Sequence, residues 1–212
     1  MDYIIIKRIL DIFLALFLLV LFLPIMLTAA ALIKLTSPGP VFADMPKRAG
    51  KRGKPFRLYK FRSMIPGAYN VIRKNPEYKK LFQEYQKSGY KLYQDPRITP
   101  MGHFIRKYSI DEMPQLMNVL RGEMSLVGPR PYFPKELEEQ QRRYPGTGYL
   151  IKEALSVKPG ITGIWQVSGR SNINFDKRIA LDAYYARRNS LFLDFKILLK
   201  TPWAMIRGKG AV

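Results

Sequence analysis

The chain's 212 residues suffice for one modest domain, and a hydrophobic share of 47% is enough for a packed core, which excludes wholesale disorder. The absence of cysteine excludes a disulfide framework, a thiol nucleophile and a zinc–thiolate site, and the single histidine, His103, excludes a multi-histidine metal centre. The balance of 36 basic against 16 acidic residues gives a net charge of +20, which attracts nucleic acid, anionic lipid headgroups or phosphorylated substrates without choosing among them.

The first element narrows that choice. Between Asp11 and Lys34 every residue is uncharged, and about 20 apolar residues are enough to cross the hydrocarbon core as a helix. The run exceeds the apolar stretch of a secretory signal, although Ala29-Ala30-Ala31 offers small residues of the kind found at a cleavage site. Pro24 lies near its midpoint, where a missing N–H and a clash with the preceding turn weaken the helix. Two geometries fit: a spanning helix with a mild kink, or a re-entrant helix broken at Pro24 that returns to the side it came from. Basic residues flank both ends, Lys7 and Arg8 before and Lys34 and the Lys47–Arg57 stretch after, and positive charge tends to stay cytoplasmic.

After the turn-rich exit Thr36-Ser37-Pro38-Gly39-Pro40, the run Lys51-Arg52-Gly53-Lys54 predicts a hairpin turn between Val41-Phe42 and a strand over Phe56–Met64. Lys60 and Arg62 would share one face of that strand. Helices are predicted over 76–92, around Met101–Lys107, from about Asp111 to Arg121, over Lys135–Arg143 after the helix-opening Pro134, and over about Tyr149–Val157. Two amphipathic stretches close the chain, about Phe175–Asn189 and Leu191–Arg207. The apolar stripe of the second (Leu191, Phe192, Phe195, Leu198, Leu199) suits either a membrane interface or a core.

Four runs could carry chemistry. Ser109-Ile110-Asp111-Glu112 has capping-box spacing, so it reads as a helix cap as readily as a site; either way two carboxylates stand at a helix start. A carboxylate there can hold magnesium or attack phosphorus. Gly128-Pro129-Arg130-Pro131 holds an arginine between two stiffening prolines, which suits bidentate phosphate binding or a plain surface turn. The segment Lys158–Arg170 has three glycines that permit close backbone approach to a ligand, and the strand around Lys60 and Arg62 is basic. No Walker loop or dinucleotide fingerprint is present.

In this order the segments resemble the bacterial sugar transferase family, the monotopic phosphoglycosyl transferases: Lys7-Arg8-Ile9-Leu10-Asp11, Thr36–Phe42, Gly53-Lys54-Pro55-Phe56, Tyr59–Met64, Asp95–Thr99, the Asp111-Glu112 run, Gly128–Pro131 and Lys158–Arg170. The resemblance implies a mainly helical α+β fold. Residues 1–36 would form a re-entrant membrane helix broken near Pro24. Residues 37–212 would form a catalytic domain on the cytoplasmic face of the bacterial inner membrane, with interface-lying amphipathic helices and a small β-hairpin or sheet. It implies transfer of a sugar-1-phosphate, of galactose or glucose type, from a UDP-sugar to undecaprenyl phosphate with Mg2+ and release of UMP, an early membrane step of polysaccharide assembly.

Carried onto this sequence, Asp111 would be the nucleophile and a metal ligand, and Glu112 its acidic partner. Arg130 would clamp a phosphate with Arg106, Lys60 and Arg62 in support, and Lys158, Gly160, Gly163 and Arg170 would lie near the nucleotide sugar. A homodimer is compatible with this reading. A nucleic-acid partner is not expected, because it would leave the apolar N-terminus unexplained.

Overall fold

The computed structural model describes residues 3–87, 92, 94–168 and 173–206. It is mainly helical, with two small sheets, as expected. Helix α1 (Tyr3–Thr36) carries the apolar run, and it is the one helix among the described residues long and apolar enough to cross a membrane. Pro24 lies inside α1, so the anticipated break is not an interruption of helix. The Pro24 carbonyl accepts the Thr28 hydroxyl at 2.9 Å, and the hydroxyls of Thr36 and Ser37 donate to Leu32 O and Ile33 O, satisfying acceptors at the helix end.

Both ends of α1 rest on the same globular body. Near the start, Arg8 donates to the carbonyls of Val119 and Leu120, Asp11 accepts the Leu126 N–H at 3.1 Å, and Lys7 pairs with Asp194 at 2.7 Å. Near the end, Ala29 and Ile33 are buried against Phe61 and Ile105. Between them Leu16, Phe17, Val20, Leu21, Leu23 and Ile25 project outward, each more than two-fifths exposed. Apolar surface on that scale marks a lipid or partner contact.

The turn forms at Lys51–Gly53 as predicted, but it joins β1 (Arg48–Ala49) rather than Val41-Phe42 to β2 (Pro55–Phe56), which does not extend to Met64; Phe42 meets Phe61 as a single bridge further out. Helices α2 (Ala68–Lys74), α3 (Lys79–Lys87) and α4 (Pro100–Lys107) follow, the last capped by Thr99, whose hydroxyl accepts the Gly102 N–H at 3.0 Å. α5 (Gln115–Leu120) leads into β3 (Ser125–Val127); α6 (Pro134–Arg143) and α7 (Gly148–Ala154) precede β4 (Gly160–Thr162), which pairs parallel with β3. After the short α8 (Ile164–Ser168), α9 (Phe175–Arg188) and α10 (Leu191–Ile206) close the chain.

The core joins Ala15 of α1 to Leu116, Val119, Leu126, Tyr185 and Ile197, so α1 is built into the domain rather than tethered to it. On α10, the inward Ile197 is balanced by an outward row of Phe192, Phe195, Leu199 and Trp203, all more than half exposed at helical spacing. Of the stripe expected from the spacing, Phe192, Phe195 and Leu199 face outward, whereas Leu198 packs against the core.

Candidate active site

The paired acids sit at a sharp corner. Ser109 adopts φ 55°, ψ 23°, a left-handed conformation that is costly for a residue with a Cβ, and the chain then makes a 3-10 turn over Ile110–Glu112. The Ser109 side chain makes no capping bond, so the capping-box reading fails: the corner turns Ser109 away from the donors it would cap. The predicted helix from Asp111 begins only at Gln115, with Pro114 in its entry turn.

Fully buried Asn118 on α5 fixes the neighbouring segment. Its side-chain oxygen accepts Tyr59 N–H at 2.9 Å, and its amide donates to Arg57 O and Glu123 at 2.7 Å each. Phe61 N–H then donates to Asp111 O at 2.9 Å. Lys60, held between these two anchors, places its ammonium 2.9 Å from Asp111 Oδ2 and 3.2 Å from Glu112 Oε1. The contact with Oδ2 is ionic, without hydrogen-bond geometry.

Asp111 is 2% exposed. Burial raises its pKa, and the Glu112 charge adds to this; Lys60 and Arg106 pull the other way without cancelling the burial. Asp111, Glu112, Lys60 and Arg106 therefore form one electrostatic cluster.

Arg130 is held by its backbone. Its N–H donates to Asp182 Oδ2 at 3.3 Å, Pro129 O accepts Gly160 N–H at 2.8 Å, and Pro131 O accepts Arg48 Nη1 at 3.2 Å. Its guanidinium carbon lies 5.2 Å from the Trp165 ring centre. Gly160 and Gly163 are needed against backbone here rather than against a ligand: a Cβ on Gly160 would overlap the Gly128 nitrogen, and one on Gly163 the Gly128 oxygen. The glycine run thus lets β4 lie close enough to β3 to brace the arginine loop.

Two predicted residues go elsewhere. Arg62 is buried and directs its amino groups to Pro38 O, Ser37 O and Ser37 Oγ, so it ties down the exit of α1 instead of binding phosphate. Lys158 stands beside Arg8 and Gly122, at the base of α1, where burial and then the Arg8 charge depress its pKa. Arg170 lies outside the described residues.

Sequence reading misses Arg48. It is buried, its guanidinium carbon lies 3.2 Å from the Phe133 ring centre, and its Nη1 donates to Pro131 O on the Arg130 loop, within the electrostatic influence of Arg130 and Glu112. One cation in the dense Lys47–Arg57 stretch gives no signal of its own.

Asp182, fully buried, also accepts the Tyr132 hydroxyl at 2.8 Å, yet burial pushes its pKa up to about 7 against the pull of Tyr132, Arg130 and Arg178. The folded state therefore binds this proton more tightly than the unfolded state, whose carboxyl titrates near 4. Asp182 stabilises the fold most below pH 4 and loses that contribution as pH climbs toward 7. Melting temperature should accordingly fall between about pH 4 and pH 7, and Asp182→Asn should flatten that slope. An equal slope in the variant would remove the assignment.

The sequence matches the bacterial sugar transferase family over residues 2–208, nearly its full length. The chain belongs to the bacterial sugar transferase family. Its relatives include the undecaprenyl-phosphate galactose phosphotransferase of Salmonella typhimurium, 40% identical over 97% of this chain and 41% of the relative, and the UDP-galactose-lipid carrier transferase of Erwinia amylovora, 39% identical over 97% and 41%. The exopolysaccharide production protein ExoY of Rhizobium meliloti is 39% identical over 97% of this chain and 87% of its own length. The chain thus spans about two fifths of the first two relatives and most of the third.

Proposed function

We propose that this family member is a phosphoglycosyl transferase that moves a sugar-1-phosphate, of galactose or glucose type, from a UDP-sugar to undecaprenyl phosphate. The observation that carries the reading is the acidic corner. A nearly buried carboxylate, Asp111, is set by a strained turn and faced by a lysine that also holds Glu112. The names of the Salmonella and Erwinia relatives support the galactose donor and the lipid acceptor.

The reaction follows as two displacements. An Asp111 oxygen attacks the phosphorus that bears the sugar, an aspartyl–phosphorus bond forms, and the bond to the nucleotide's phosphate breaks, so UMP leaves with the electron pair. An oxygen of undecaprenyl phosphate then attacks the same phosphorus. The diphosphate sugar lipid forms and Asp111 regains its carboxylate. Lys60 holds the carboxylate in place against the cost of its burial, and Arg106 adds positive charge where the diphosphate's negative charge must be met. Glu112, more exposed than Asp111, is positioned to share in metal binding or proton transfer.

No group of three or more histidine or acidic residues suited to a metal ion occurs among the described residues. Two adjacent carboxylates completed by substrate phosphates and water nevertheless fit magnesium, which is commonly held in that way. Asp111 and Glu112 would hold it, and it would supply charge neutralisation on the diphosphate.

The placement of α1 supports a re-entrant, monotopic attachment with the domain on the cytoplasmic face. Asp11 and Ile33, about 33 Å apart along a straight helix, both pack on the same domain, and the apolar face between them is free to enter lipid. The outward row on α10 would rest at the interface.

The test is UMP release by the detergent-solubilised protein with undecaprenyl phosphate and magnesium, over a panel of UDP-sugars. Turnover with UDP-galactose or UDP-glucose is expected, and no UMP from any donor would overturn the reading.

A further inference from the structure

Arg48 Nη1 donates to Pro131 O, so two arginines 82 positions apart in sequence are tied to one loop, and each has a buried Nε without a hydrogen-bond partner among the described residues. Burying like charges side by side is costly unless something compensates them. The nearby acids do not suffice. Glu136 faces Arg178 at 3.7 Å, so its charge is already shared, and the Asp182 carboxyl is taken up by the Tyr132 hydroxyl and the Arg130 N–H while burial weakens its charge. Burial and then the neighbouring Arg130 charge pull Arg48 itself down to about 9.

Both side chains are also held rigidly. Phe133 stacks under Arg48, and Nη1 is tied to Pro131 O; Arg130 lies over Trp165 on a loop whose backbone is bonded on either side. Rigid paired forks of this kind match phosphate oxygens.

We propose that Arg48 is a substrate-binding residue that, together with Arg130, seats the phosphate of the donor that departs as UMP. The inference rests on the transferase reading above and adds a residue and a subsite to it. Its location argues for the leaving phosphate. Asp111 must touch the phosphorus that is transferred, and Lys60 holds it there, whereas Arg48 is fixed on the Arg130 loop through Pro131 O and feels the Glu112 charge from there. A diphosphate laid from Asp111 toward Arg48 puts its second phosphorus on the arginine pair. During the first displacement negative charge builds on that leaving phosphate, so the pair stabilises the departing group as the bond breaks.

The experiment uses the full chain in detergent or nanodiscs, with Arg48→Gln and Arg48→Lys beside wild type and Arg142→Gln, an exposed arginine on α6, as a charge control. Calorimetric titration with UMP, inorganic phosphate and uridine reads the subsite without turnover. Steady-state kinetics read KM for the UDP-sugar and for undecaprenyl phosphate separately. Wild type and Arg142→Gln should bind UMP alike, and uridine far more weakly. Arg48→Gln should lose about tenfold or more in UMP affinity and raise the donor KM by a similar factor while the acceptor KM stays put. Arg48→Lys, which keeps charge without the fork, should fall between.

Wild-type UMP affinity in both Arg48 variants would overturn the proposal, as would equal loss for donor and acceptor, or equal binding of UMP and uridine by wild type. If Arg48→Gln does not fold, the same criteria apply to Arg48→Lys. Absence of UMP release by wild type, with UMP binding still dependent on Arg48, would instead sink the transferase reading and leave the phosphate seat standing.

Discussion

Asp111→Asn should abolish UMP release, by about a thousandfold or more, while leaving the protein folded and no less stable. The two halves of this expectation have one cause. At 2% exposure the Asp111 carboxylate has surrendered its hydration, and the rise in its pKa shows that Lys60 and Arg106 do not fully restore what burial removes. An amide of the same shape ends that cost. Lys60 keeps Glu112 as a partner at 3.2 Å, so no buried cation is stranded. Melting temperature should stay level or rise, and the gap between catalysis and stability would mark a residue kept for chemistry.

Intact-protein mass spectrometry after mixing wild type with a UDP-sugar, acceptor omitted, should show the added mass of a sugar phosphate that the variant lacks. Glu112→Gln should be milder, on the order of a hundredfold in rate, with the adduct still formed. An adduct that persists in Asp111→Asn, or sits on Glu112, would refute the assignment of the nucleophile.

Much of this molecule is legible in its sequence wherever local chemistry governs. Pro134 opens α6 where a first-turn proline should, the turn at Lys51–Gly53 closes the hairpin, and the amphipathic spacing near the end gives α9 and α10 almost to the residue. The acidic corner is visible because Asp111 and Glu112 are adjacent in the chain. The failures share a different origin. The pairing of β3 with β4 joins three-residue strands about 35 positions apart, too short to show a period. Gly160 and Gly163 therefore read as facing a ligand, whereas they face the backbone of Gly128.

Helix α2 begins after Gly67 at φ 68° with no side-chain cap, leaving nothing local to announce it. Strand parity groups Arg62 with Lys60, but the regular strand is limited to Pro55–Phe56, with single bridges beyond it. Freed from that parity, Arg62 finds its acceptors on the Ser37-Pro38 turn. Arg48 is one basic residue among many until the fold ties it to Pro131 O on the Arg130 loop. Residues whose partners are distant in sequence are the ones that local patterns misplace.

The second large effect concerns which side of the membrane the two ends of α1 occupy. A helix of 34 residues could be about 51 Å long, more than enough for a roughly 30 Å hydrocarbon core. Length alone therefore permits a span. The domain contacts argue against one. A spanning α1 would have to pull either Arg8 and Asp11 from Val119, Leu120 and Leu126, or Ala29 and Ile33 from Phe61 and Ile105. It would also force a buried carboxylate or a basic flank across the bilayer.

The chain lacks cysteine, so single reporters can be placed on a silent background. Ile5→Cys and Leu35→Cys, both exposed near opposite ends of α1, should resist a membrane-impermeant maleimide in intact cells and react fully once the inner membrane is opened. Leu21→Cys, on the outward apolar face, should stay protected in both conditions until detergent is added. Labelling of either end reporter from outside would establish a span, and the contacts that hold α1 against the domain at both ends would then have to be abandoned.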